Sequence, residues 1–136
     1  MILVDTSIWV EMLAGRQQVD SDDLLRLVTC PPVLQEVRQG LRRTGQADAF
    51  FDNFQAIRCL SSPLLSTLFL AAADIYREGR RRGLTIRSSY DCLIAAIAIE
   101  HNVPLWHRDR DFDAISRYTP LRVLASPRAM VALAMG

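Results

Sequence analysis

The sequence contains no lysine: all sixteen basic residues of the 136-residue chain are arginine. This excludes any chemistry that needs a catalytic or phosphate-binding lysine, the Walker A loop included. It leaves phosphate recognition open, because the planar guanidinium fork grips phosphate oxygens two at a time. Histidine is nearly absent, with only His101 and His107, and no Ser-His-Asp set is recognisable. The three cysteines, Cys30, Cys59 and Cys92, are odd in number and far apart. They show no zinc spacing and read as buried, reduced thiols. No apolar run is long enough to span a bilayer. The chain opens on Met1-Ile2-Leu3-Val4 and reaches Asp5 at once, with no basic segment first, so no signal peptide is read. The expectation is a cytoplasmic protein without a membrane partner. An excess of charge of one sign is missing too, since the net charge is +1. Half of the residues are hydrophobic, enough for a real core in a single domain spanning 1–136.

Strand and helix signals alternate along the chain. Residues 2–5 form a short Ile, Leu and Val run that suits a buried strand, followed by a helix over 7–14 capped by Thr6 or Ser7 and stopped by Gly15. Ser21-Asp22-Asp23 starts another helix, and Leu27–Cys30 is a second strand. Pro31-Pro32 fits the first turn of a helix reaching Arg43, with a further helix over 46–55. Ile57–Leu60 reads as a third strand, and Ser62-Pro63 opens a long helix that ends at Arg82 before Gly83. A strongly apolar helix covers 89–101, Val103–His107 is a fourth strand, Asp111 caps a short helix to Tyr118, Leu121–Leu124 is a fifth strand, and the tail 126–136 is helical. The alternation implies right-handed crossovers and an α/β fold with a mainly parallel sheet of about five strands.

What the chain does have is acid in the right places. Four segments each bring a carboxylate to one edge of such a sheet: Val4-Asp5-Thr6-Ser7, Leu34-Gln35-Glu36-Val37, Tyr90-Asp91-Cys92-Leu93-Ile94-Ala95-Ala96 and His107-Arg108-Asp109-Arg110-Asp111-Phe112. Ligands of open α/β sheets bind outside the carboxyl ends of the strands. Asp5 and Asp109 each follow a strand, while Asp91 and Glu36 lie early in helices that start at the same edge. The plain structural readings are helix caps for Asp5 and Asp111, a Ser88-x-x-Asp91 capping box, and a solvated helix face for Glu36. Against them stands the clustering. Carboxylates without a basic partner raise each other's pKa, and a hard divalent cation relieves the repulsion. The donor set points to Mg²⁺ and to metal-assisted hydrolysis of a phosphodiester. Ala95, Ala96 and Ala98 let the helix bearing Asp91 lie close to the sheet. His107 flanks the site. The Arg80-Arg81-Arg82 run is either a phosphate-backbone grip or a cation-favouring helix end.

These segments, in this order and spacing, resemble PIN domains, and more narrowly the VapC toxins of bacterial toxin–antitoxin pairs. The resemblance runs over nearly the whole chain. It implies a three-layer α/β/α fold and an Mg²⁺- or Mn²⁺-dependent endoribonuclease, acting on tRNA or rRNA. It further implies a homodimer inhibited by a cognate VapB antitoxin. It maps catalytic acids onto Asp5, Glu36, Asp91, Asp109 and Asp111, of which Asp5, Asp91 and Asp109 are the expected metal ligands. Thr6, Ser7, Arg80, Arg81 and Arg82 are expected to contact substrate. His107 stands where the family usually carries Thr or Asn. A PIN-like RNA-binding module with little or no activity is the alternative. A haloacid-dehalogenase-type phosphatase fits less well, because Ser7 stands where its second acid belongs and its lysine is missing. A response-regulator receiver lacks both its acidic pair and its lysine.

Overall fold

The computed structural model describes residues 1–127. In chain order its elements are β1 (Ile2–Val4), α1 (Thr6–Leu13), α2 (Ser21–Leu24), β2 (Leu27–Val28), α3 (Pro31–Gly40), α4 (Gly45–Phe54), α5 (Ser66–Arg81), α6 (Ser89–Glu100), β3 (Leu105–Trp106), α7 (Arg110–Ser116) and β4 (Val123–Leu124). The strands form one sheet in the order β2-β1-β3-β4, and every pairing is parallel. Leu3 is central, opposite Val28 on one side and Leu105 on the other. Ile2, Leu3, Val4 and Leu105 are fully buried, which is why these strands read as unbroken apolar runs rather than alternating ones.

The chain leaves β1 towards β2 and later returns to the opposite side of β1 for β3. That reversal makes the carboxyl ends of β1 and β3 the topological switch point of the sheet, where a crevice opens. α6 packs across the structure with Asp91 through Ala98 all buried. A helix apolar on every side belongs in the interior, and this one lies against α3, α5 and α7.

Several boundaries differ from the sequence expectations, each for a local reason. Ile57–Leu60 is not a full strand: it makes one parallel bridge, Thr29 with Cys59, held by Thr29 N to Arg58 O at 2.9 Å and Leu60 N to Thr29 O at 2.8 Å. The partner strand ends there because Pro31 and Pro32 carry no N–H, and Ser61 turns the chain away with φ of 57°. The sheet therefore has four strands among the described residues. α5 begins at Ser66 rather than at Ser62-Pro63, since Leu65 is still extended and Leu64 packs on the core. α3 stops at Gly40, the weakest helix former in its stretch after the N-terminal prolines, and Leu41 is extended. Asp109, not Asp111, caps α7, and Asp5, rather than Thr6 or Ser7, caps α1. The helical tail expected over 126–136 lies, from residue 128 on, outside the described residues. No described helix is long and apolar enough to cross a membrane.

Candidate active site

Asp5 follows β1, and its backbone N–H still bonds Trp106 O at 3.0 Å, so the sheet fixes its position against β3. Its carboxylate Oδ2 accepts from Ser7 Oγ at 2.7 Å and Ser7 N at 3.2 Å. The same serine oxygen accepts from Arg108 N at 3.3 Å, which ties the loop after β3 to the start of α1. Glu36 lies in the second turn of α3, where Thr6 Oγ1 donates to its Oε1 at 3.1 Å. Thr6 and Ser7 thus orient the carboxylates of Glu36 and Asp5.

Asp91, Asp109 and Asp111 each bring a carboxylate oxygen within 4.8 Å of the other two. Asp109 caps α7, its Oδ1 accepting from Asp111 N at 2.9 Å. Asp91 lies in the first turn of α6, 7% exposed. The capping box read from the sequence is half formed. Ser88 Oγ accepts from Tyr90 N, and Asp91 returns no bond, so its carboxylate is not committed to the helix end.

A basic partner that the sequence did not reveal sits here. Arg87 spans two of the acids: Nη2 donates to Asp109 Oδ1 at 3.1 Å, and Nε donates to Asp111 Oδ2 at 3.3 Å. The Arg87 backbone N–H also donates to Asp111 Oδ2 at 3.1 Å. The one signal for Arg87 was its place just before the Ser88 cap, hence at the same sheet edge as Asp91. Nothing in the sequence shows the 84–87 loop folding back onto α7.

The hydrogen bonds share a pattern. Asp5 is held by Ser7 and by the Thr6 backbone N–H, and Glu36 Oε1, Asp109 Oδ1 and Asp111 Oδ2 are held by donors, while the second oxygen of Glu36, Asp109 and Asp111, and both oxygens of Asp91, accept no hydrogen bond among the described residues. Three carboxylates are therefore oriented from behind with an oxygen left over, Asp5 is held by both Ser7 and Thr6, and Asp91 is left with two. The electrostatics agree. Burial, then Asp109, Asp5, Asp111 and Glu36, push the Asp91 carboxyl up to about 8. Burial also raises Asp5, against the pull of the Ser7 hydrogen bonds. It raises Glu36, against the Thr6 hydrogen bond, with Asp5 and Asp109 adding to the rise. Oxygen-only donors, hydrogen-bonded on one side and mutually repelling on the other, fit a hard divalent cation.

Of the remaining expected residues, His107 adjoins the acids and the Arg80-Arg81-Arg82 run does not bond them. His107 is 8% exposed: Nδ1 accepts from Asp109 N at 2.9 Å, Nε2 lies 3.2 Å from Asp113, and the ring packs on Phe112. It shapes the turn that presents Asp109. Arg81 and Arg82 at the end of α5 both bond Glu78, and none of Arg80, Arg81 and Arg82 bonds any of the five acids. Trp9 is buried at the start of α1. Its Nε1 donates to Val4 O at 3.1 Å and its ring meets Phe54 edge-on. An open apolar cleft of about 600 Å³ lies between α3, α5 and α6, lined by Pro31, Gln35, Phe69, Tyr76, Tyr90 and Leu93 among others.

A parallel α/β sheet with carboxylates gathered at its switch point is the architecture of the PIN domain, and the PIN domain family model matches residues 2–118. The chain is 39% identical to the VapC ribonuclease Mb1587 of Mycobacterium bovis over 137 aligned positions, covering 90% of this chain and 96% of that protein. The ribonuclease VapC11 of Mycobacterium tuberculosis matches equally, at 39% over the same extents. The fold is shared with VapBC2 of Rickettsia felis, solved bound to a promoter DNA fragment, at a TM-score of 0.71 and 21% identity over 91% of this chain and 98% of that one. It is shared also with VapBC-1 of nontypeable Haemophilus influenzae, at a TM-score of 0.72 and 18% identity over 91% of this chain and 97% of that one. The chain belongs to the PIN-domain family, in its VapC branch.

Proposed function

We propose that this chain is the toxin of a toxin–antitoxin pair, an endoribonuclease that hydrolyses phosphodiester bonds of tRNA or rRNA with a divalent cation. The carrying observation is the set of carboxylates at the switch point, with Asp91, Asp109 and Asp111 closest together and Asp91 free of any donor among the described residues. The VapC ribonucleases of Mycobacterium support the reaction class. Asp5, Asp91 and Asp109 would hold Mg²⁺, or Mn²⁺ in its place, with Asp111 close enough to Asp91 and Asp109 to share in that role and Glu36 completing the acid set. When bound, the cation lowers the pKa of an attacking water and offsets charge building on the phosphoryl oxygens. The protein's own part is positioning. Ser7 and Thr6 fix Asp5 and Glu36, the His107 turn fixes Asp109, and Arg87 fixes Asp109 and Asp111 while adding a cation beside the reacting phosphate.

The partner is a VapB-type antitoxin, in line with the toxin–antitoxin complexes that share the fold. An arginine from its C-terminal segment, entering the acids, would form strong bidentate contacts and compete with the metal. The homodimer expected from the resemblance has exposed apolar side chains to use, Leu65, Phe69 and Leu70 at and beside the start of α5. Light scattering of the purified chain tests it. The reaction is tested by incubating the purified protein with a mixed RNA pool and sequencing the new 5′ ends. Recurrent cut sites that vanish in Asp5→Asn support the proposal, and an unchanged RNA pool refutes it.

A further inference from the structure

Beside the acids lies a shallow cleft of about 270 Å³, lined by Thr85, Arg87, Arg110, Asp111, Ala114 and Arg117 among others. Its chemistry differs from that of the acid cluster. Arg110, Ala114 and Arg117 stand at i, i+4 and i+7, so α7 and its C-terminal end present them as one stripe. Arg87 faces them from the 84–87 loop, and Ala114 leaves room between. Neither Arg110 nor Arg117 makes an ion pair among the described residues, and both are exposed. Helix stability does not account for Arg110, because a cation in the first turn opposes the macrodipole. Asp111 belongs both to this cleft and to the carboxylate cluster, so a group held in the cleft adjoins the reacting centre.

We infer that Arg110 and Arg117 form a subsite for a backbone phosphate of the RNA, next along the strand to the phosphate that is cut. This rests on the ribonuclease reading and adds the direction in which the strand leaves the site, over α7. Guanidinium forks suit phosphate oxygens. A strand threading past negative carboxylates needs positive charge close by, since the chain as a whole is nearly neutral. The Arg80-Arg81-Arg82 run offers less, because Arg81 and Arg82 already share Glu78. Arg110 and Arg117 have no such partner among the described residues.

The test uses the double variant Arg110→Ala, Arg117→Ala. Alanine keeps α7 helical, and Arg87 is left intact because it also orients Asp109 and Asp111. Two quantities are measured with a random-sequence single-stranded RNA oligonucleotide. One is affinity against salt, from about 50 to 200 mM, with chelator present to prevent cutting. The other is KM and kcat for its cleavage with Mg²⁺. The expected result is weaker binding, a salt slope smaller by roughly 0.7 for each phosphate no longer neutralised, and a raised KM at unchanged kcat. Arg110→Lys, Arg117→Lys should restore most of the slope. Wild-type affinity, slope and KM in the alanine variant overturn the inference while leaving the nuclease reading intact. So does loss of antitoxin binding without change in RNA binding, which would assign the cleft to an acidic protein segment. A wild-type protein that neither binds nor cuts RNA overturns both.

Discussion

Asp91 concentrates the chemistry of the site in one residue. It is buried, accepts no hydrogen bond among the described residues, and is pushed up to about 8 by burial and four neighbouring acids. Asp91→Asn and Asp5→Asn should each lower cleavage by about 100-fold or more, the scale of losing a charge-stabilising group in such a site, while circular dichroism stays native. The pH dependence follows from the same carboxyl. Its folded pKa lies above the unfolded value of 3.8, so its contribution to stability is complete below about pH 4 and is lost as pH rises towards 8. Metal-free wild type should therefore melt at lower temperature at pH 8 than at pH 5, and Asp91→Asn should flatten that slope. Added Mg²⁺ should stabilise the wild type more at pH 8, where it competes with fewer protons. A melting temperature equally pH-dependent in Asp91→Asn would contradict this. The positions of Asp5, Asp91, Asp109 and Asp111 were legible in the sequence, because each sits at a strand end or a helix start that pattern locates, while Glu36, in the second turn of α3, stood out only beside the other acids. Arg87 was not legible, since its role depends on how an irregular loop folds back onto α7.

Among the elements, α6 has the tightest requirement. Ala95 is fully buried one turn after Asp91, where the helix packs against its neighbours. Ala95→Leu should destabilise the protein by about 1–3 kcal/mol through overpacking, read by urea denaturation, and should cut activity by displacing Asp91. Thr44→Ala is the matching control. It removes the bond from Ala47 N, at 3.1 Å, that caps α4, costs about 1 kcal/mol, and should leave the specific activity of the folded protein unchanged. Parallel order and crossover logic could be read from alternating apolar runs, and the apolar α6 from its composition. The failures were at edges. Ile57–Leu60 has the composition of a strand, yet its partner ends at two prolines and leaves it one bridge. Pro63 resembles a helix start, but Leu64 packs on the core and delays α5 to Ser66. Strand length depends on what lies alongside, which local pattern does not carry.

On the scale of the whole molecule, a nearly neutral chain brings five of its fifteen acids to one sheet edge and sets arginines beside them. Expressed without its antitoxin, such a protein should slow growth, and Asp5→Asn should relieve that effect. Equal growth curves for the two would remove the toxin role while leaving the fold untouched. The carboxylate cluster stands or falls as a divalent-cation site for RNA hydrolysis, and cation-dependent cleavage tests that most directly. Purified wild-type protein, stripped with chelator and titrated with Mg²⁺ on a mixed RNA pool, should be inactive at the start and gain activity saturably, while Asp91→Asn stays inactive throughout. Full cleavage in the presence of chelator, or cleavage by Asp91→Asn at the wild-type rate, would contradict it.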